Sequence, residues 1–446
     1  MLAMSAEAFT IQGSSHHVRG QRIHARRSVT GKPWESEPPV RIGFVTQWFP
    51  PERGTATPES IASGLSSRGH EVHVLTAFPN YPTGRVYPGW RQRPYLRETR
   101  PDGVIVHRTP VYPSHDSRPM RRMASYLSHA ITATVLATPR VPRPDVWLVY
   151  SSPATAALPA QLAVPGRRAP VCLLIEDLWP DSVTGSGMVR GSALRAVERM
   201  LNAYVGASYR HAKKIGVISP GMVDLLADRG VPREKIGFTP YWLDAPSPVL
   251  DAPAQASTPD RVPRRSFLYA GNLGAMQGLH ELIDAFALDP EADLILIGDG
   301  VERQALAAQA APLPNVTVLP PVGQDEVEAH LAAADVLVVS LRDTPLLRVT
   351  MPGKVQASMR AGKPILAHAA GDVTALITRH GAGVSCRPGD AADTADAIRH
   401  LASLSEEGLA GMGASARRAY DSQFSSTVGV SRLEALLAQA QETTQT

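Results

Sequence analysis

The stretch LYAGNLGAMQGL, residues 268–279, predicts how the second half of this chain folds. An apolar strand over 267–270 runs into a glycine-punctuated turn at 271–274, and a helix is expected to begin near Gln277. Glycine lets the backbone approach a bulky anion, and the amides that open a helix point toward such an anion. We interpret the turn as a cradle for a diphosphate; an ordinary strand-to-helix connection in an α/β sheet is the alternative.

The same alternation of strands and helices extends outward from this stretch. Near the start, residues 41–46 form a buried-type strand, residues 57–59 (Thr-Pro-Glu) open a helix, and a second strand begins at Val72. Such a βαβ unit predicts a parallel sheet. Because the alternation restarts at the cradle strand, we predict an α/β fold with two Rossmann-like parallel-sheet domains that face a cleft between their strand ends.

The pattern also predicts the domain boundaries. A stretch dense in Pro, Ala, Ser and Asp, without hydrophobic periodicity, is interpreted as a linker. The five predicted segments are a disordered tail over 1–40, a first domain over 41–243, the linker over 244–264, a second domain over 265–425, and a C-terminal helix and tail over 426–446.

Three local expectations concern the elements themselves. The Pro-, Tyr- and Arg-rich stretch after the second strand is expected to be irregular up to residue 104. An uncharged helix is expected over 124–138, either as a packed core helix or as a helix that lies on a membrane. After the strand at 364–367, only helices are expected to close the chain.

Composition excludes several classes of protein. The chain has 446 residues, of which 43% are hydrophobic and 19% charged, as in a globular protein of two or three domains. The two cysteines, Cys172 and Cys386, lie far apart in apolar segments, so neither a disulfide framework nor a Cys-rich metal site is expected, and a reducing cytoplasm fits best. No apolar run reaches the ~20 residues that cross a bilayer, and no secretory leader is visible.

The charge is unevenly spread. The net charge is +4, yet residues 85–143 contain eleven Arg against three acidic residues, Glu98, Asp102 and Asp116. This block predicts a surface that faces anions such as phospholipid or a lipid diphosphate. A plain solvated arginine surface is the alternative, and nucleic acid is not favoured because no nucleic-acid-binding motif occurs.

Several catalytic motifs do not occur in the sequence. The first strand is followed by QWFPP, residues 47–51, and not by G-x-G-x-x-G, so a dinucleotide enzyme has no fingerprint. The sequence also contains no P-loop, no H-E-x-x-H or C-x-x-C zinc pattern and no G-x-S-x-G elbow.

Six stretches together carry a resemblance to a known family. They are 48–52 with Gly54; 65–72 leading to 75–76; 177–181; 218–222; 271–274 with Gln277 and Gly278; and 352–354 through 361–364. In this order they resemble family 4 of the retaining glycosyltransferases, which have the GT-B fold. Within that family the chain is most similar to bacterial enzymes that build O-antigen and colanic-acid-type surface polysaccharide on lipid carriers. The resemblance runs from Arg41 to about Leu437.

The resemblance implies a reaction and a set of site residues. A sugar would pass from a nucleoside diphosphate donor to a lipid-linked or polysaccharide acceptor, by a cytoplasmic protein attached peripherally at the inner face of the membrane. Such transfer needs a neutralised leaving diphosphate and a positioned acceptor hydroxyl. The predicted catalytic residues are Glu176, Asp177 and Lys354. The predicted donor-binding residues are Gly54, Gly271, Asn272, Gly274, Gln277, Gly298, Gly353 and Gln356.

Individual roles follow from chemistry. Lys354, at a helix start, would supply the positive charge that a metal supplies elsewhere. Glu176 and Asp177 would orient the sugar or the acceptor. The alternatives are a surface lysine and a structural Asp177. Because the sequence has no D-x-D motif, we expect no essential metal, and no cofactor beyond the nucleotide-sugar substrate.

The chain departs from the family pattern at several positions. Asn272 and Gln277 stand where many members have Arg and Lys, and the acidic E-x7-E pair is replaced by Val349 and Ala357, which leaves Gln356 as the substitute. Two other hypotheses therefore stay open. One is a degenerate relative that binds a sugar or a partner protein without catalysis, and the other is a nucleotide-sugar epimerase on the same fold.

Overall fold

The computed structural model describes residues 39–52, 56–114, 118–179, 192–242, 264–289 and 291–442. All but the last two residues of the predicted tail, all but the last residue of the predicted linker, and Gly54 lie outside the described residues. The predicted domain boundaries therefore stay predictions.

The first half of the chain forms an eight-stranded sheet with the order β3-β4-β2-β1-β5-β6-β7-β8. Its strands are β1 (Arg41–Val45), β2 (Glu71–Ala77), β3 (Leu96–Thr99), β4 (Ile105–Thr109), β5 (Val146–Tyr150), β6 (Val171–Ile175), β7 (Lys214–Val217) and β8 (Ile236–Phe238). All neighbours pair in parallel except β3 and β4. The central strands β5 and β6 are buried along their whole length, as expected for a parallel sheet covered on both faces.

The edge strand β3 corrects one expectation. Leu96 lies opposite Arg108 and Thr99 opposite Ile105 in an antiparallel pair, so the prediction of irregular structure up to residue 104 is wrong over these four residues. The sequence LRET alternates half-buried and exposed side chains without an apolar core face. An edge strand of this kind gives no hydrophobic signal that would separate it from a loop.

Helices connect the strands of the first sheet. They are α1 (Ala56–Ser67), α2 (Pro119–Thr132), the short α3 (Leu158–Gln161), α4 (Ser192–His211) and α5 (Pro220–Asp228). Helix α2 begins five residues before the expected start at 124, with Pro119 in its first turn. It continues through a π-helical stretch (Ala133–Ala137) and a 3-10 turn (Thr138–Arg140).

The second half forms a six-stranded sheet, entirely parallel, with the order β11-β10-β9-β12-β13-β14. Its strands are β9 (Arg265–Ala270), β10 (Ala292–Ile297), β11 (Val316–Leu319), β12 (Val336–Ser340), β13 (Ile365–His368) and β14 (Gly383–Cys386). The expectation that only helices follow residue 367 is wrong, because β14 pairs with β13. This four-residue strand, with three of its residues half-buried, lacks the apolar run that marks the others.

Nine helices cover the second sheet and close the chain within the described residues. They are α6 (Leu279–Ala287), α7 (Arg303–Ala310), α8 (Gln324–Ala333), α9 (Pro345–Arg348), α10 (Gly353–Ala361), α11 (Asp372–His380), α12 (Ala391–Ser403), α13 (Glu406–Gln423) and α14 (Ser426–Glu442). None of the helices in the described ranges is both long and apolar enough to cross a membrane.

The last helix returns to the first sheet. Leu433, Leu436 and Leu437 of α14 are buried in the same core as Ile42 and Phe44 of β1. Glu434 of α14 also lies 3.1 Å from the His70 ring. The C-terminal helix, which follows the second domain in the chain, therefore packs against the first domain. The predicted fold of two parallel-sheet domains is confirmed.

Candidate active site

The glycine turn after β9 packs against a second glycine turn after β10. Gly271 has φ 141° and Gly298 has φ 150°, backbone conformations that side chains rarely adopt. A Cβ atom on Gly298 would lie 1.8 Å from the Gly271 carbonyl oxygen. The Gly271 amide donates to the Ile297 carbonyl oxygen at 2.8 Å. The contact requires glycine at 298, so Gly298 has a structural role beside its predicted role in donor binding.

The helix that follows begins later than predicted. Residues 275–277 form a single 3-10 turn, Gly278 has φ 62°, and α6 starts at Leu279. The Asn272 side-chain amide donates to Gln277 Oε1 at 3.3 Å. A Cβ atom on Gly274 would lie 2.8 Å from that Asn272 nitrogen. Asn272, Gly274 and Gln277 are thus brought together, and two of the predicted donor-binding side chains bond to each other.

Lys354 lies in the first turn of α10, and its side chain reaches the glycine turn after β9. A Cβ atom on Gly271 would lie 2.7 Å from Lys354 Nζ, and this nitrogen lies 4.7 Å from the centre of the Tyr269 ring. Among the described residues, no carboxylate oxygen lies within 4.0 Å of Nζ. Burial lowers the pKa of Lys354 to about 8. The site therefore holds a desolvated cation, with no acidic partner in the described part of the chain, beside exposed backbone.

A pocket of 340 Å³ opens beside this cation. Both glycine turns line it, and Pro321, Val322 and Val327 supply apolar walls. Its size is within the range of small-molecule sites. The Gly271 and Gly298 amides donate to the Ile297 and Leu319 carbonyl oxygens, and Asp299 also lines the pocket. The arrangement therefore offers an anion the Lys354 ammonium beside the bare Gly271 backbone, with apolar side chains at the other end for a flat apolar group.

The predicted acidic pair lies at the carboxyl end of β6 in the first domain. The Tyr150 hydroxyl donates to Glu176 Oε2, while Glu176 Oε1 is buried and has no partner in the described ranges. Burial raises the pKa of Glu176 to about 8, and the charge of Asp177 adds to this rise. Asp177 itself is exposed and accepts a hydrogen bond of 2.6 Å from Ser152 Oγ. One carboxyl group is therefore a neutral acid at pH 7, and the other faces solvent.

Tyr241 connects this acidic pair to the second domain, and sequence reasoning missed it. Its hydroxyl donates to the Met351 carbonyl oxygen at 3.3 Å. A Cβ atom on Gly353 would lie 3.0 Å from the same hydroxyl. Burial, together with the nearby charges of Glu176 and Asp177, raises the pKa of Tyr241 well above its usual range. The only sequence signal was an aromatic pair at the end of the first domain, directly before the predicted linker.

Further contacts hold the two domains together beside this connection. Ser219 Oγ caps α5 by accepting from the Met222 amide, and it donates to the Val349 carbonyl oxygen at 2.6 Å. The Gly221 amide donates to Asp372 Oδ2 at 2.7 Å. Val349, which stands where the family has its first acid, therefore packs against the first domain.

Gln356, two residues beyond Lys354 on α10, is fully buried. Its side chain has no exposed surface, and neither end of its amide has a hydrogen-bond partner in the described structure. Contact with a ligand would require α10 or its neighbours to move. The hypothesis that Gln356 replaces the second family acid, near Ala357, gains no support from its position.

The first-domain loops at the same edge are ordered by a buried carboxylate. Glu52 accepts hydrogen bonds from the backbone amides of Phe49, Asn80 and Tyr81 at 2.6–2.9 Å. Burial raises its pKa to about 7, although these three bonds and the Arg108 charge oppose the rise. Glu52 belongs to the stretch 48–52 that carries part of the family resemblance, and the sequence predicted no role for it. Its position shows that it joins the loops after β1 and β2.

An aromatic cluster lines the surface that these loops form. The Trp48 ring centre lies 5.0 Å from that of Tyr81 and 6.2 Å from that of Tyr126, which in turn lies 5.9 Å from that of Trp179. Trp179 follows the acidic pair by two residues. Because Tyr126 and Trp179 are buried, the cluster packs the loop that carries the acidic pair against the loops after β1 and β2 and against α2.

The predicted site residues divide into three groups by position. The structure brings together Gly271, Asn272, Gly274, Gln277, Gly298, Gly353 and Lys354, and it connects Glu176 and Asp177 to them through Tyr241. Gln356 is fully buried on the same helix as Lys354, and Gly54 lies outside the described residues. Among the described residues, no group of three or more His, Cys, Asp or Glu side chains could hold a metal ion. Metal independence stays a prediction.

Comparisons with known proteins agree on one class. Residues 54–242 match the glycosyl transferase 4-like domain, and residues 264–403 match the domain called glycosyl transferases group 1. The "Probable glycosyltransferase WbjE" of Pseudomonas aeruginosa is 28% identical over 312 residues, which cover 67% of this chain and 76% of that protein. The "Putative colanic acid biosynthesis glycosyl transferase WcaI" of Escherichia coli K12 is 28% identical over 301 residues, 62% of this chain and 70% of that one.

Solved structures show the same architecture. Anabaena Alr3699/HepE, crystallised with UDP and glucose, superposes with a TM-score of 0.62 at 16% identity, over 90% of this chain and 99% of that one. WaaG, a glycosyltransferase involved in lipopolysaccharide biosynthesis, superposes with a TM-score of 0.55 at 15% identity, over 89% of this chain and 98% of that one.

Proposed function

Because this chain belongs to the glycosyltransferases with the GT-B fold, built from a 4-like and a group 1 domain, we propose that it transfers a sugar from a nucleoside diphosphate donor, with retention of anomeric configuration. The acceptor is lipid-linked or a growing polysaccharide, at the cytoplasmic face of the membrane. One observation carries the proposal: the half-buried Lys354 ammonium lies against Gly271 without a carboxylate partner in the described structure.

The donor is proposed to bind by its diphosphate at this position. A desolvated cation is costly unless an anion neutralises it, and a diphosphate bound to Lys354 would do so, because the missing side chain of Gly271 leaves room for it there. The 340 Å³ pocket adjoins the same backbone, and its apolar wall of Pro321 and Val322 suits a nucleobase. Anabaena Alr3699/HepE was crystallised with UDP-glucose, which supports a nucleotide-sugar for this fold.

The acceptor is proposed to enter on the side of the first domain. Asp177, held by Ser152, would accept a hydrogen bond from the acceptor or sugar hydroxyl, and the protonated Glu176 would donate one. In the transfer, the bond between the anomeric carbon and the diphosphate oxygen breaks while a bond to the acceptor oxygen forms. The proton of the acceptor hydroxyl passes to the departing diphosphate. Lys354 stabilises the charge that develops there.

The location and the class of acceptor are proposed together. The name of WcaI refers to colanic acid, and that of WbjE to glycosyl transfer. The arginine block over 85–143 suits an anionic surface. We propose that the protein works peripherally on the inner face of the membrane and requires neither a metal nor a cofactor.

A donor screen tests the proposal. Purified protein is incubated with a panel of nucleotide-sugars, with and without lipid extract, and with and without a metal chelator. Nucleoside diphosphate release that depends on the extract and survives the chelator is expected, with the product anomer matching the donor by NMR. Interconversion of the donor sugar would instead indicate an epimerase, and binding without any turnover would indicate a degenerate relative.

A further inference from the structure

The solvent-facing side of α2 is apolar, which reverses the usual pattern of a surface helix. Met120, Ala124, Leu127, Ile131 and Val135 follow one another at spacings of three or four residues along α2 and its π-helical extension. They therefore share one face of the helix. We call these five residues the exposed helix face. Its four large side chains are 41–81% exposed.

The side of α2 that faces the protein is partly polar. Ser125 and His129 are buried there, and neither ring nitrogen of His129 has a hydrogen-bond partner in the described part of the chain. Burial lowers the pKa of His129 to about 4, so the ring is neutral. The apolar residues on this side are Tyr126 and the small Ala130, Ala133 and Ala137, whereas a surface helix normally turns its large aliphatic side chains toward the core. The pattern indicates that the exposed helix face contacts something other than water.

Two arginines without a carboxylate partner in the described ranges lie at the end of this face, and one of them, Arg140, donates to the Leu136 carbonyl oxygen at 2.7 Å. Arg140 follows Val135 by five residues, and its guanidinium stacks on the Tyr95 ring at 5.1 Å. Burial raises the pKa of Tyr95, and the charges of Arg97, two residues along on β3, and of Arg140 oppose that rise. Among the described residues, no carboxylate lies within ion-pair distance of either. The 46% exposed Tyr112 lies on the other flank, where its amide binds Ser128 of α2.

From this juxtaposition we propose that the exposed helix face, with Arg97, Arg140 and Tyr112, is a docking surface for an anionic phospholipid bilayer. The helix would lie in the interface plane, with its apolar face among the acyl chains and the arginines at the headgroups. Aromatic rings such as Tyr112 favour that same depth. The inference deepens the proposed location at the membrane and rests on the proposed function only for its purpose, since docking does not require turnover.

The shape of the surface favours lipid over a second protein. From Met120 to Val135 the face is about 22 Å long and one helix wide, on the order of 200 Å² in all. Stable protein interfaces bury about 800 Å² on each partner. A narrow apolar strip beside Arg97 and Arg140 is too small for a stable dimer, whereas shallow insertion combined with charge attraction suits an anionic membrane.

Vesicle flotation tests the inference. The protein is mixed with phosphatidylcholine vesicles that contain, or do not contain, an equal share of phosphatidylglycerol, at low and high salt. We expect flotation with the anionic vesicles at low salt and weaker flotation at high salt. The variant Leu127→Gln/Ile131→Gln/Val135→Gln should bind anionic vesicles about tenfold or more weakly.

Matched control variants distinguish binding through the exposed helix face from non-specific binding by exposed apolar or charged residues elsewhere. Leu288→Gln/Val301→Gln removes exposed apolar side chains from the second domain, 58% and 91% exposed, and should float like the parent protein. Arg97→Gln/Arg140→Gln should bind anionic vesicles about tenfold more weakly, whereas the equal charge change Arg379→Gln/Arg418→Gln should not. Circular dichroism and nucleotide affinity check that each variant remains folded.

Three results would overturn the inference. They are a parent protein that floats with neither vesicle, helix-face variants that float like their controls, and a parent dimer at micromolar concentration that the helix-face variant makes monomeric. The last result would assign the face to a second copy of the chain. Nucleoside diphosphate release in detergent-free buffer is measured in parallel, so loss of docking and loss of transfer chemistry are distinguished.

Discussion

The two sides of the cleft differ in which groups form them: mostly backbone in the second domain and mostly side chains in the first. On the second-domain side, the contacts are mostly made by backbone: Gly271 packs against Gly298, and the Lys354 ammonium lies beside Gly271. On the first-domain side, side chains predominate: Glu176 is held by Tyr150, Asp177 by Ser152, and Tyr241 crosses to the other domain. The comparison teaches that the second-domain side tolerates almost no change at Gly271 and Gly298, while the first-domain side depends on protonation and side-chain contacts.

The largest effect is expected at Lys354. Lys354→Ala removes the ammonium group beside Gly271 and should lower nucleoside diphosphate release at least about hundredfold, because the leaving group loses its charge stabilisation. The matched change Lys363→Ala, two residues beyond the end of α10, should leave turnover near that of the parent protein. Equal turnover in Lys354→Ala would remove the lysine from the mechanism.

The next effect tests the backbone-built side. In Gly271→Ala, the new methyl group would lie 2.7 Å from Lys354 Nζ and displace it. Nucleotide affinity should fall about tenfold or more, because a hydrogen bond to a charged group contributes roughly 1.5–3 kcal/mol. Calorimetry measures the affinity.

Gly389→Ala is the control for this substitution. Gly389 also has positive φ, at 85°, but a Cβ atom there would meet nothing within 4 Å. It carries similar backbone strain without the clash, so stability should fall while affinity is retained. Equal affinity losses in the two variants would show that strain, and not the displaced lysine, is responsible.

The acidic pair tests the side built from side chains. Asp177→Asn should lower turnover about tenfold, as expected when a proton-accepting or orienting carboxylate is lost. Glu176→Gln should retain most activity at pH 7, because Glu176, with its pKa near 8, is already protonated there. Measured from pH 6 to 9, the parent should lose the Glu176 contribution as the pH passes 8. A Glu176→Gln variant that is inactive at pH 7 would show that the ionised form is required.

The smallest effect is expected at the contact between the sides. Tyr241→Phe removes one hydrogen bond to Met351, worth roughly 0.5–1.5 kcal/mol, and should lower kcat a few-fold with little change in donor KM. The reason is that Tyr241 orients the start of α10 without touching the donor. Steady-state kinetics on the selected donor provide the check. A change confined to KM would place Tyr241 in the donor site itself.

The backbone-built side of the cleft could be predicted from the sequence, whereas most of the side-chain contacts on the other side could not. The cradle from 268 to 279 was recognisable because glycines in a strand-turn-helix pattern are a local signal, and both sheets were predicted from the alternation of apolar strands and helices. Tyr241, Ser152 and Glu52 were not assigned roles, because their partners are distant in sequence. Edge strands β3 and β14 were missed because half-exposed strands lack an apolar run.

Helix α2 shows a third kind of limit. Its apolar residues predicted a helix and left open whether it packs in the core or lies on a membrane. Periodicity alone cannot tell which face is buried, since Leu127 and Ile131 look like core residues until Ser125 and His129 are seen inside. The start at Pro119 was also missed, although proline is typical of a first turn.

The central claim, that Lys354 holds the donor diphosphate, is tested most directly by nucleotide affinity as a function of pH. The pKa of Lys354 in the unbound protein is about 8. Above that pH, binding of an anion that needs the charged lysine must be accompanied by protonation of Lys354. Affinity for the nucleoside diphosphate should then fall by up to about tenfold per pH unit above about pH 8, and Lys354→Met should bind weakly with a flat profile. Identical affinity and pH dependence in the parent protein and in Lys354→Met would contradict the claim.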